Sequence, residues 1–99
     1  MSLSKRCKEF IVSGVNFNGM KVRLEVLDQI NITAAAVSGS TVEVWDRKGQ
    51  SYVELSISES ASLLVKVSAH VKEAREAMRI AEDQGKTFIE GLRDTRSSA

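Results

Sequence analysis

The stretch from Ser56 to Gln84 most constrains what this chain can fold into, because it reads as one long helix with both ends marked. Ser56 and Glu59 have capping-box spacing: the serine oxygen can accept from the N–H of residue 59, and the glutamate can reach back to the N–H of residue 56. Gly85 stands where a left-handed residue would stop the helix, and the chain contains no proline to interrupt it. At 1.5 Å per residue the helix over 57–84 would reach roughly 42 Å.

Its apolar pattern is heptad-like. Ile57, Leu64, Val71 and Met78 recur every seventh residue, and Ser60, Val67, Ala74 and Ala81 form a second row three residues on. Charge falls elsewhere, at Lys66, Lys72, Glu73, Glu76, Arg79 and Asp83. A helix this long outreaches a cap of about 55 residues. The expectation is therefore a coiled-coil-like seam for a partner helix, carried by Leu64, Val67, Val71, Ala74, Met78 and Ala81. So many alanines imply close backbone approach and do not separate a dimer from a trimer. The plainer alternative is that the stripe packs on the chain's own front half.

The front half reads as a small α+β cap. Phe10-Ile11-Val12 and Val15-Asn16-Phe17 flank Ser13-Gly14, which suggests a hairpin over 10–17. Two readings compete next. Asn18-Gly19 is a strong hairpin signal, and Met20, Val22, Leu24 and Val26 alternate with Lys21, Arg23 and Glu25, as a third strand would. Against that, Met20, Leu24, Leu27, Asn31 and Ala34 have helical spacing, and the alanine run at 34–36 leads to a stop at Gly39. The alanines and the stop favour a helix over 20–37. Residues 41–55 then form the clearest hairpin, with Trp45 opposite Tyr52, Val44 opposite Val53 and Val42 opposite Leu55. Trp45 and Tyr52 share the face away from the valines and are candidate contact residues. Beyond Gly85, Thr87 and Glu90 repeat the capping-box spacing ahead of a short helix over 88–94. Phe88 and Leu92 continue the heptad rows, which would let one helix run on instead.

The fold class expected is thus α+β: a single domain over 9–94, a flexible basic segment at 1–8 and a polar tail at 95–99. With 99 residues, 14 basic and 13 acidic side chains and a net charge of +1, no global field favours nucleic acid or an anionic membrane. No apolar run is long enough to span a bilayer. The N-terminal residues lack the apolar core of a signal peptide. One cysteine, Cys7, excludes an internal disulfide and suits a reducing compartment.

Little chemistry can be assembled. His70 is the sole histidine and lies beside the seam. Without a His/Cys cluster no metal site is expected, and no Gly-rich phosphate loop is present. The expectation is no enzyme, no cofactor and no small-molecule substrate.

The run Thr41-Val42-Glu43-Val44-Trp45-Asp46, then Gln50-Ser51-Tyr52-Val53-Glu54-Leu55-Ser56, then Leu64 and Ala69-His70-Val71, resembles a phage domain of unknown function. That domain occurs in small phage proteins and at the C-termini of tail-fibre and tail-fibre-assembly proteins. The order of hairpin, helix ending in small residues, Val-x-Trp strand and long closing helix covers about residues 9–84. The resemblance implies a tail-fibre-associated structural or assembly protein, acting by self-association or on a fibre subunit. It also implies a place in the host cytoplasm during assembly, or in the virion tail. The alternative is a small phage-encoded inhibitor that grips a host protein through the Trp45–Tyr52 face.

Overall fold

The computed structural model describes residues 2–97, among which four helices and a four-stranded antiparallel sheet give an α+β fold. The order is α1 (Leu3–Ser13), β1 (Val15–Phe17), β2 (Met20–Val22), α2 (Val26–Ser38), β3 (Val42–Asp46), β4 (Ser51–Leu55), α3 (Ile57–Gln84) and α4 (Phe88–Ser97). The contacts divide the chain into two compact units, Val12–Ser68 and the remainder on either side of it, so α1 and α3 each contribute to both.

In Val12–Ser68 the strand order is β1-β2-β3-β4. The hairpin expected over 10–17 is not formed. Phe10 to Ser13 complete α1, because Leu3, Cys7, Phe10 and Ile11 share one helical face, and their joint burial outweighs the β preference of a three-residue run. Gly14 turns the chain from helix to strand at φ +101°, and a β-carbon there would overlap the carbonyl of Val22. The first hairpin is instead β1–β2, pairing Val15 with Val22 and Phe17 with Met20. Its turn is Asn18-Gly19, both at positive φ (49° and 78°), which matches the twist of the flanking strands.

The helix expected over 20–37 therefore starts late. Met20–Val22 is strand, and Val22 and Leu24 are fully buried by the alternation that the helical reading discounted. Helix α2 begins at Val26, where the Asp28 carboxylate accepts the Glu25 N–H at 3.0 Å. It ends as expected at Gly39, with Ser40 N–H donating back to the Ala35 carbonyl at 2.8 Å.

The second hairpin has the expected register, Val42 with Leu55, Val44 with Val53 and Trp45 with Tyr52. Asp46 locks it to β2. Its carboxylate accepts three backbone N–H groups at 3.0 Å each, from Lys21, Lys48 and Gly49. Val42, Val44 and Leu55 are buried, as are Ser60, Leu63 and Val67 from the first half of α3. Lys66 reaches over the Phe17 ring and donates to the Asn16 carbonyl at 3.2 Å, covering the outer edge of β1.

The other unit is helical. The front of α1, the back half of α3 and α4 enclose Cys7, Ala74, Ala77, Phe88 and Leu92, with Leu3, Phe10, Ile11 and Met78 packed on that cluster. The basic segment 1–8, expected to be flexible, is from Leu3 onward the opening of α1, and Cys7 is buried. Helix α3 has the expected bounds and cap: Glu59 N–H donates to Ser56 Oγ at 3.2 Å and Ser56 N–H to Glu59 Oε1 at 2.9 Å. It stops at Gly85 (φ +62°), and Lys86 N–H donates to the Ala81 carbonyl. Helix α4 opens with the reciprocal Thr87–Glu90 pair but runs to Ser97, past the expected end at 94. Part of the tail expected at 95–99 is thus helix; residues 98 and 99 lie outside the described ones.

Candidate interaction surface

The α3 seam is placed one row away from where the sequence suggested. The row Ser60, Val67, Ala74 and Ala81 is buried, but the second buried row runs through Leu63 and Ala77, with His70 half-buried between them. The expected first row is at the margin: Leu64, Val71 and Met78 are half-buried, and Ile57 is 55 % exposed. Two neighbouring rows on one helix repeat at the same seven-residue interval, so periodicity alone does not choose between them. Val67, Ala74 and Ala81, expected to face another polypeptide, are covered by their own chain, and the heptad here serves internal packing.

His70 explains part of this. Its ring lies against Phe10 with centroids 4.5 Å apart, and Nε2 is 3.0 Å from the Phe10 carbonyl. That carbonyl belongs to the last turn of α1. With Nε2–H donating, the histidine caps a helix C-terminus.

Trp45 and Tyr52 do meet, edge to face with centroids 4.9 Å apart. Trp45 is half-buried, with the Arg23 guanidinium 5.9 Å from its ring centre. Arg23 is itself held by Asp28 through Nε at 2.8 Å and Nη2 at 3.1 Å. That hydrogen bonding pushes the arginine still further toward its charged form. Tyr52 is 58 % exposed and borders an open groove of about 590 Å³ that runs between α2 and the start of β3.

The surface that sequence reasoning missed is α2. Leu27 is 67 % exposed, Ile30 57 % and Val37 78 %. With Ala34 they form a stripe spaced 3-4-3 down one side, while Ile32 and Ala35 are the side chains buried on the other. Val26 and Thr33 flank the stripe and are also exposed. The helix carries one charged residue, Asp28, which is engaged with Arg23 and the Glu25 N–H. A shallow apolar depression of about 510 Å³ lies over Ile30, Thr33, Ala34 and Val37. An available signal was this near-absence of charge: a helix solvated on one side normally carries ionic groups there.

Among the described residues no group of three or more His, Cys, Asp or Glu side chains converges as a metal site would. No described helix is long and apolar enough to cross a membrane. Compared with protein-family models, curated proteins and solved structures, the chain matches none.

Proposed function

We propose that this chain is a non-enzymatic, phage tail-fibre-associated structural or assembly protein that docks non-covalently on another polypeptide, with α2 as its contact surface. One observation carries the docking: Leu27, Ile30 and Val37 stand more than half exposed on a helix without a free charge. Contiguous apolar surface of this kind marks an interaction site more often than scattered exposed side chains do. The tail-fibre context rests on the resemblance of residues 9–84 to the phage domain. The α3 seam, given over to internal packing, is no longer the proposed contact. The test is retention of a tail-fibre subunit by immobilised protein, wild type against Ile30→Glu. Retention by the wild type and its loss in a folded Ile30→Glu variant is the expected result. Equal retention by both, or by neither, removes the reading.

The inhibitor reading keeps one supporting observation, the exposed Tyr52 ring beside the groove next to α2. It requires that Tyr52→Ala abolish capture of a host protein while Ile30→Glu leaves it intact.

A further inference from the structure

We infer that α2 pairs with α2 of a second copy of this chain, antiparallel, in a weak two-fold dimer. The inference rests on α2 being the docking surface proposed above and names its occupant.

The spacing of the stripe is self-complementary. Leu27, Ile30, Ala34 and Val37 fall at successive a and d positions of a short heptad segment. A two-fold axis crossing the helix at position 32 sets Leu27 against Val37 of the other copy and Ile30 against Ala34. The central layers then match a large side chain to a small one, twice. The depression bounded by Ile30, Thr33, Ala34 and Val37 is the notch that receives the incoming isoleucine. A C2 contact of this type uses the same patch on both molecules.

Electrostatics agrees. The helix positions beside the stripe are Val26, Thr33, Asn31 and Ser38, all uncharged, so pairing along the stripe sets no ion of α2 against the other helix; Arg23, Asp28 and Glu43 lie in the groove on the Asn31 and Ser38 side. Antiparallel helices also set each N-terminus beside the other's C-terminus, which favours opposed dipoles. Area sets the strength. Thirteen residues make a helix of roughly 20 Å, and one helix pair of that length falls short of the roughly 800 Å² per partner of a stable interface. The dimer is therefore a transient one, populated at high micromolar concentration or through tethering on a larger assembly.

Sedimentation equilibrium of the full chain up to millimolar concentration tests this. The wild type should move from monomer mass toward dimer mass, and Ile30→Glu should stay monomeric with an unchanged circular dichroism spectrum. Ile30→Ala and Ala34→Ile should each weaken dimerisation by roughly tenfold. The double variant Ile30→Ala/Ala34→Ile restores the large-to-small match and should recover dimerisation to near the wild-type level. A wild type that remains monomeric at millimolar concentration overturns the inference. So does a dimer indifferent to Ile30→Glu, or a double variant no better than the singles. A monomeric chain that still retains a fibre subunit in an α2-dependent way overturns self-pairing alone and leaves the proposed function standing.

Discussion

Gly91 of α4 presses directly on the backbone carbonyl of Ala77 in α3, so closely that a β-carbon at position 91 would overlap the carbonyl oxygen. The glycine is buried within a helix, where its intrinsic propensity is poor, and the contact is what compensates. Ala74, Ala77 and Ala81 keep the facing side of α3 low enough for the approach. Gly91→Ala raises helix propensity yet should destabilise the protein by about 1–3 kcal/mol, as overpacking against backbone does. Chemical denaturation measures the loss, and hydrogen exchange should place it in residues 88–97. A neutral or stabilising Gly91→Ala would mean that α4 is not seated this way.

The Gly91 contact also shows where sequence was readable and where it was not. Ser56, Gly85 and Thr87 act on their own neighbours within a few residues, so the limits of α3 and the start of α4 followed from local chemistry. The register of Trp45 against Tyr52 followed likewise from alternation across a tight turn. Phe10 was misread because three β-branched or aromatic residues before Ser13-Gly14 satisfy a strand pattern, and the helical face they complete begins back at Leu3 and Cys7. The buried row of α3 was misplaced because Leu63 and Ala77 repeat at the same interval as Leu64 and Met78. Ala77 is covered by α1 and α4, whereas Leu63 is buried within the Val12–Ser68 unit, so the choice of row is a tertiary fact. Leu27, Ile30 and Val37 were passed over for the opposite reason: apolar residues at helical spacing are ordinarily assigned to a core, and nothing local says that a core is lacking.

Cys7 offers a chemical probe of the helical unit. Its thiol is buried and donates to the Ala74 carbonyl at 3.5 Å. Burial raises its pKa, with Arg75 opposing more weakly. Both effects of burial, fewer thiolates and no access, slow reaction with a disulfide reagent. Native protein should therefore be labelled at least about a hundredfold more slowly than the denaturant-unfolded chain, at a rate that follows local opening. Gly91→Ala should accelerate the labelling, because both residues lean on the same Ala74–Ala77 stretch. Rapid labelling of the native protein would contradict the packing of α1 on α3.

Arg23 should be irreplaceable by lysine. Its planar fork engages Asp28 with two nitrogens while its face lies near Trp45, a combination an ammonium group does not reproduce. Arg23→Lys is expected to cost about 1.5–3 kcal/mol, the scale of one charge-assisted hydrogen bond and part of a cation–π contact. Trp45 is the single tryptophan, so its fluorescence reports the change without labelling. Unaltered emission and stability in the lysine variant would show that the stack carries no energy.

Asp46 should make the sheet acid-labile. Hydrogen bonds from the Lys21 N–H, first, and from the Lys48 and Gly49 N–H groups hold its carboxyl below the ordinary 3.8, against the effect of burial. A carboxylate whose folded pKa lies below its unfolded value binds protons more readily when unfolded. Its contribution is therefore complete above the unfolded pKa and declines as pH falls through that value toward the folded one. Glu59 and Glu90 are shifted the same way by their capping N–H groups, so the whole protein should lose stability on acidification. Asp46→Asn isolates one share of the loss. The asparagine keeps a single acceptor oxygen, which can serve Lys21 and Lys48, but turns an NH₂ group toward the Gly49 N–H. At neutral pH the variant should melt well below the wild type. As pH drops below about 4 the two melting temperatures should converge, because the protonated aspartic acid has lost the same acceptor. A gap that stays constant from neutral pH to pH 2.5 would assign the effect to shape alone and not to the charge.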